Sequence, residues 1–370
     1  MNVAIACGGT GGHIFPGVAV GEALRARGHE VALWLGGRNV EALSTSAWDG
    51  PVVHIKAAGF PAGLSLRAVA VGCRLLMSIV ACWRQMRRER PDVVVAMGSY
   101  ASVGPGLAAR LLRIPLVLHE SNSVPGKAVL LLARYAAVTG LGFDAAKPYF
   151  AGYRTVVTGF PLRGELSGAA PLSGLDSNVF TVLVMGGSQG AHAINMTASD
   201  ALCEAVRGGV ALQVIHLSGV ADEADVRSRY EAAGVSAQVY GFLADMGAAY
   251  AAADLAVCRA GAASCAELTL CRLPAVLVPL PTAAHDHQRA NAVGMMMAGG
   301  VDMIEQVDLT VLALRQYVEA SCLHPERLMR KREALDKMGG GDAAGMMCEL
   351  IEEAGEQPNN RTIEQPNYER

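Results

Sequence analysis

AIACGGTGGH at residues 4–13 and VLVMGGSQGAH at 182–192 each run an apolar strand pattern straight into a loop of glycines and hydroxyl side chains. A short, continuously apolar run of this kind reads as a strand covered on both faces, as in a parallel sheet. A helical pattern follows each loop. Glycines free backbone N–H groups there and the helix N-terminus adds positive potential, so each turn is a pocket for phosphate oxygens. The repetition predicts two similar halves that face one cleft and handle a phosphorylated or nucleotide substrate. A single Gly-rich turn also occurs without any ligand, merely to reverse the backbone, but two related ones weigh against that reading.

Around the first loop, strands and helices alternate: VAIAC, a helix from about Pro16 to Arg27 stopped by Gly28, EVALWLG, a helix at 64–90, PDVVVAMG (91–98), a helix near 103–112, IPLVLHE (114–120) and TVVTGFPLR (155–163). Around the second come FTVLVMGG (180–187), a helix through about 207, LQVIHLSG (212–219), a helix near 222–233, AQVYGF (237–242), DLAVCRAG (254–261), LPAVLVPLP (273–281) and helices out to about 354. This rhythm predicts an α/β protein with two doubly wound parallel sheets. GELSGAAPLSGLDSN (164–178) has no sustained apolar period and is read as the linker. The expected domains are 1–163 and 164–338, with a disordered tail over 355–370 that repeats EQPN.

The composition agrees. At 370 residues and 52% apolar content the chain can build two cores. A net charge of -3 and 5% aromatics offer neither a footprint nor a stacking surface for nucleic acid, so no nucleic-acid partner is expected. Nine cysteines, most of them in apolar runs and none in a CxxC pair, read as buried thiols in a reducing compartment. The N-terminus starts on a strand pattern with no basic leader, which points to the cytoplasm. LSLRAVAVGCRLLMSIVACWRQMRRER (64–90) is interrupted by Arg67 and Arg74, which disfavours spanning a bilayer. It reads first as a crossover helix with a cationic C-terminal end, and second as a helix resting on an anionic membrane surface.

Neither Gly-rich loop matches a common cofactor fingerprint. Counting GxGxxG from Gly9 puts Ile14 where the third glycine belongs, and no GK[ST] closes the loop. His13 stands where the first loop meets its helix, either to take a proton from a substrate hydroxyl or to hold a phosphate. HESNSVPGK (119–127) follows a buried strand, which makes His119, Glu120 and Asn122 cleft candidates at the carboxyl edge of the sheet, or else a capped turn. In CRAGAASCAEL (258–268), Glu267 either accepts two vicinal ribose hydroxyls or is an ordinary acid near a helix start. His285, Asp286 and His287 lack a fourth metal ligand at recognisable spacing, so no metal and no cofactor are expected; with Gln288 and Asn291 they read as a hydrogen-bonding edge.

Taken together, GGTGGHIFPG, MGSYAS (97–102), LHESN (118–122), GFPLR (159–163), GGSQGA (186–191), CRAGAASCAE (258–267) and DHQRANA (286–292) resemble the MurG family of N-acetylglucosaminyltransferases. The resemblance implies a GT-B fold, with UDP-N-acetylglucosamine (UDP-GlcNAc) on the second domain, lipid I, a membrane-bound acceptor, on the first, and a C-terminal helix, about 341–354, that returns to the first domain. It implies that Leu243 reads the uracil, Glu267 the ribose, and Ser188 and Arg163 the diphosphate. Thr10, Gly11, Gly12, Asn122 and Gln288 would surround the sugar, and Ala262, Ala263, Ser264, Cys265 and Ala266 would line the nucleotide pocket. Gly98, Ser99 and Tyr100 would touch the acceptor. Three departures stand out: Ser99, Phe160 and His285 replace the family's usual glycine, asparagine and aspartate.

The implied reaction is inverting transfer to the C4 hydroxyl of the muramoyl sugar, forming lipid II in peptidoglycan synthesis, with His13 as first choice of base and Glu120 as second. Its place is the cytoplasmic face of the plasma membrane, peripherally bound. A UDP-GlcNAc 2-epimerase and a non-catalytic nucleotide-sugar binder are the alternatives.

Overall fold

The computed structural model describes residues 1–9, 11–36, 48–55, 66–162, 166, 168–186, 190–339 and 341–356. The chain divides into two compact units, residues 1–163 with 341–370, and residues 164–340.

Unit 1 is built on a seven-stranded sheet of β1 (Asn2–Ala6), β2 (Glu30–Leu35), β3 (Val52–His54), β4 (Val93–Ala96), β5 (Leu116–Glu120), β6 (Val138–Leu141) and β7 (Thr155–Val157). Every pairing is parallel, and the spatial order is β3-β2-β1-β4-β5-β6-β7. Its crossovers include α1 (Gly11–Ala26), α2 (Leu66–Glu89), α3 (Val103–Leu112) and α4 (Lys127–Ala133). The central strands read VAIA and VVVA because both faces are covered by helices. Helix α1 begins at Gly11, five residues before the expected Pro16, so the second half of the glycine loop is already its first turn. Pro16 accordingly lies inside α1 rather than at its start.

Unit 2 repeats the scheme with six strands: β8 (Phe180–Met185), β9 (Leu212–Leu217), β10 (Ser236–Tyr240), β11 (Leu255–Cys258), β12 (Ala275–Leu277) and β13 (Val301–Met303). They are all parallel in the order β10-β9-β8-β11-β12-β13. Its helices are α5 (His192–Arg207), α6 (Glu223–Ala233), α7 (Met246–Ala252), α8 (Ala262–Leu270), α9 (His287–Met297), α10 (Val311–Leu323) and α11 (Pro325–Met338). Each unit is therefore one Rossmann-like domain, and the two together are the pair that the GT-B fold requires. In each, strand order reverses beside the first strand, between β1 and β4 and between β8 and β11, where open α/β sheets bind their ligands.

The last helix, α12 (Ala343–Glu356), belongs to unit 1. Met347, Cys348 and Ile351 are fully buried in the core that also holds Val18, Val20 and Leu24. Glu352 ties it down, lying 3.0 Å from Arg27 Nη1 and 2.9 Å from His29 Nε2. Gly355 and Glu356 are part of this helix, which corrects the expectation that the tail begins at 355. The rest of that tail, 357–370, lies outside the described residues.

Candidate functional site

In unit 1 the turns after β1 and β4 meet at the strand-order reversal. A Cβ added to Gly9 would lie 2.5 Å from Ser99 Oγ, so glycine is what lets the two turns touch. Gly98, with φ +90°, lies against His13: a Cβ there would be 2.9 Å from His13 Cδ2 and 3.2 Å from Nε2. His13 is half-buried in the first turn of α1, together with Gly11 and Gly12. Ser102, fully buried, locks the two turns together, its Oγ lying 3.1 Å from the Ala6 carbonyl and also contacting that of Gly98. Sequence reasoning passes over Ser102, because a serine among small residues at a helix start reads as a plain cap.

Ser99 has φ 65° and ψ 162°, a region adopted almost only by glycine. Its Oγ accepts from the Ala101 N–H at 3.3 Å, a local bond that partly offsets the strain. Tyr100 beside it is exposed.

At the carboxyl end of β5 two of the candidates are bonded within the fold. Glu120, expected as a second base, is 3% exposed and occupied by its own turn. Its Oε1 accepts from Asn122 N–H at 2.9 Å and Asn122 Nδ2 at 3.3 Å, and its Oε2 from Gly126 N–H at 3.0 Å. Burial pushes its carboxyl up, opposed by those three bonds. It is a turn-closing carboxylate, and Asn122, assigned to the sugar, is engaged with it. His119 is not on a cleft either: it is fully buried, its Nε2–H donates to the Gly159 carbonyl at 3.0 Å, and burial drives its pKa down to about 4. Phe160 covers it edge-on at 6.1 Å, which explains how a phenyl ring stands where the family has an amide.

In unit 2 the turn after β8 is shaped by glycines. A Cβ on Gly186 would lie 2.2 Å from Ala191 N, and one on Gly190, whose φ is +75°, would lie 2.3 Å from the Ser218 carbonyl. That close packing leads directly into α5, a 16-residue helix with no side-chain cap at its N-terminus. The turn after β11 carries Arg259, which spends its guanidinium on the Val278 and Pro279 carbonyls, each at 3.2 Å, and on Gln306 Oε1 at 2.7 Å. Asn291, fully buried on α9, donates to the Ala260 carbonyl at 3.2 Å. Arg259 and Asn291 thereby fix the backbone that starts α8.

Helix α8 opens with Ala262, Ala263, Ser264, Cys265 and Ala266, small residues whose first N–H groups have no helical partner. Cys265 is fully buried, its thiol pushed up to about 12, so it packs rather than reacts. Glu267 accepts a 2.6 Å hydrogen bond from the Tyr250 phenol, and burial raises its carboxyl to about 7. A surface acid stabilised by the helix dipole would titrate low, whereas Glu267, half-buried, is shifted the other way. Leu243 is half-buried in the loop before α7. Gln288, in the first turn of α9, accepts from the Leu280 N–H at 3.0 Å. His285 and Asp286 are exposed and both left-handed, at φ 54° and 55°. Among the described residues no three His, Cys, Asp or Glu side chains cluster as metal ligands. Thr10, Arg163 and Ser188 lie outside the described residues.

The glycosyltransferase family 28 N-terminal domain matches residues 3–140 and the family 28 C-terminal domain residues 181–344. A relative from Anaeromyxobacter sp. (strain Fw109-5) is 39% identical over 356 residues, covering 95% of this chain and 93% of its own. One from Myxococcus xanthus (strain DK1622) is 36% identical over 352 residues, covering 95% and 92%. Both are named UDP-N-acetylglucosamine–N-acetylmuramyl-(pentapeptide) pyrophosphoryl-undecaprenol N-acetylglucosamine transferase. The crystal structure of Acinetobacter baumannii MurG superposes with a TM-score of 0.77 at 29% identity, covering 95% of this chain and 99% of that one. UDP-GlcNAc 2-epimerase from Neisseria meningitidis, bound to UDP-GlcNAc, superposes at 0.66 with 11% identity over 95% of this chain and all of that one, a likeness of fold alone. With both halves matched and near-full-length relatives well above 30% identity, the chain belongs to glycosyltransferase family 28 and, within it, to the MurG N-acetylglucosaminyltransferases.

Proposed function

We propose that the chain transfers N-acetylglucosamine from UDP-GlcNAc to the C4 hydroxyl of the muramoyl sugar of lipid I, with inversion, releasing UDP and forming lipid II for peptidoglycan. The observation that carries this reading is Glu267: a carboxylate in the second turn of α8, bonded to the Tyr250 phenol and pushed up by burial, at the position that the resemblance assigns to a nucleotide ribose. Unit 2 supplies the donor side: Leu243 for the uracil, Glu267 for the ribose, the N-terminal turn of α8 for the nucleotide, Gln288 for the sugar, and Ser188 and the N-terminus of α5 for the diphosphate.

Unit 1 supplies the acceptor side. The transition state is oxocarbenium-like, so it needs a base on the attacking oxygen and positive potential on the departing diphosphate. His13 is assigned the base, since Glu120 is committed to its turn. Arg163 and the helix N-termini are assigned the diphosphate. Gly98, Ser99 and Tyr100 are assigned the acceptor.

Helix α2 supports a peripheral place on the cytoplasmic face of the inner membrane. Leu76, Met77 and Val80 are 64%, 63% and 46% exposed, and Arg84, Arg87 and Arg88 continue the same helical stripe, also exposed. The opposite stripe, Ser78, Cys82 and Met86, is buried. No helix among the described residues is long and apolar enough to cross a membrane. An apolar stripe running into a cationic one suits the headgroup boundary of an anionic bilayer.

The test mixes the purified chain with UDP-GlcNAc and a lipid I analogue and follows both UDP and disaccharide. Disaccharide formed in step with UDP is expected. UDP-N-acetylmannosamine formed without acceptor would replace the reading by the epimerase, and UDP-GlcNAc binding without turnover by a binding protein.

A further inference from the structure

Tyr250 lies in the run AAYAAAD, whose small apolar residues read as plain helix core. The structure gives its phenol a polar task. The side chain is 2% exposed on α7, and its hydroxyl donates to Glu267 Oε2 at 2.6 Å, with Met185 Sδ 3.5 Å away. Oε1 of Glu267 accepts no hydrogen bond within the described residues. Helix α7 is itself fixed, since Asp245 caps it by accepting from the Ala248 N–H at 3.0 Å, two residues after Leu243. One short helix thus joins the loop assigned to the base to the carboxylate assigned to the ribose.

We infer that Tyr250 is a positioning residue: its O–H holds Oε2 of Glu267 and keeps that carboxylate ionised and aimed, leaving Oε1 for the vicinal hydroxyls of a nucleotide ribose. This rests on the nucleotide-sugar reading above. The physical case is a balance of two effects. Burial disfavours the charged form of Glu267, and the phenol bond opposes burial by stabilising the carboxylate. Burial also holds the phenol's own titration far above its usual value, so it stays a donor at any working pH.

The other ionisable neighbours do not substitute for it. Cys258, Cys265 and Cys271 face the carboxylate as thiols that burial keeps neutral. Charges on α9 and α11, which pack on α8, are engaged elsewhere: Arg289 with Glu305, Lys331 with Asp302, Arg332 with Asp254, and Asp336 with Arg272. His287 contacts the Ala284 carbonyl, Glu326 pairs with His324, and Arg327 lies near Tyr317. Arg330, Glu333 and Lys337 line a separate hollow beside Ala298 and Met338.

The experiment is UDP titration of the full-length chain by calorimetry from pH 5.5 to 9, for wild type, Tyr250→Phe and Glu267→Gln. Wild-type affinity should fall as pH drops below about 7, where the carboxylate protonates. In Tyr250→Phe the midpoint should move up by about one unit, making binding roughly tenfold weaker than wild type near pH 6 and nearly equal at pH 9. Glu267→Gln should be flat. Uniform 3-fluorotyrosine, a stronger donor, should move the midpoint down, which keeps the test open should Tyr250→Phe fold poorly. A Tyr250→Phe curve parallel to wild type at every pH, or identical to it, overturns the positioning role. Wild-type chain that binds no UDP at pH 8 overturns the nucleotide reading and this inference with it.

Discussion

Both units carry the same sheet order, with the same reversal beside the first strand and a glycine turn at each, yet they solve different problems there. In unit 1 the turns meet backbone to side chain: Gly9 against Ser99, Gly98 against His13, with Ser102 as the clasp. Glu120, at the end of β5, is held by its own turn. In unit 2 Arg259 and Asn291 clamp the turn after β11, and Glu267, half-buried on α8, accepts from the Tyr250 phenol. A common scaffold thus sets where a ligand goes, and a few side chains decide which chemistry it meets. Burial is the lever. It neutralises His119 in unit 1 and poises Glu267 near neutrality in unit 2.

The sharpest way to break this contrast is His13→Ala. If unit 1 supplies the base, kcat should fall by about 10²–10⁴-fold while UDP-GlcNAc affinity hardly changes. Steady-state kinetics over pH 5–9 checks it; near-normal kcat with a raised acceptor KM would make His13 a phosphate holder.

Next in size is the membrane face, which unit 2 does not share in this reading. Replacing Arg84, Arg87 and Arg88 by Gln should weaken binding to anionic vesicles by about 1 kcal/mol per charge. Sedimentation with vesicles of graded anionic content measures it, and unchanged binding would return α2 to a purely structural role.

Glu267→Ala should weaken UDP binding by about 1.5–3 kcal/mol, the worth of hydrogen bonds to a charged group. The same residue should show a stability cost of opposite sign. Its folded-state carboxyl titrates near 7 against an ordinary 4.5, so the folded state holds the proton more tightly. Its contribution to stability is therefore lost as pH rises through that window. Glu267→Gln should accordingly be more stable than wild type at pH 8 by about 1–3 kcal/mol and no more stable at pH 4. Urea unfolding at the two pH values decides it.

The smallest effect expected is at Ser99. Ser99→Gly should stabilise the chain by about 1 kcal/mol, because it removes a side chain from a glycine-only backbone region while losing one local bond. A lower urea midpoint in the mutant would mean that the Oγ bond outweighs the strain.

The strands at the two reversals were legible because they are continuously apolar and end in glycines, as at VAIAC and FTVLVMGG. Strands β3, β6 and β13 are not legible: they are three or four residues long, VVH, VTGL and VDM, and lack the apolar run that marks a buried strand. Helix α7 escapes for the same reason of length. Among site residues, Glu267 stood out as a lone acid after small residues and Asn291 as part of a polar edge, whereas Tyr250, Ser102 and Arg259 carry no local signal, since what defines each is a partner far along the chain.

By itself the sequence determined the fold class, the two glycine turns and the family, because periodicity, glycine placement and a string of motifs are local properties that survive without coordinates. Only the tertiary structure decided which polar residues near the sheet edges are spent and which are free. Glu120 and Glu267 both follow apolar runs and look alike on paper. The first is surrounded by N–H groups of its own turn, and the second accepts from a single phenol. Desolvation and hydrogen bonding are properties of what surrounds a group in space, and neighbours 17 residues away in the chain, as Tyr250 is from Glu267, come together only when the chain folds.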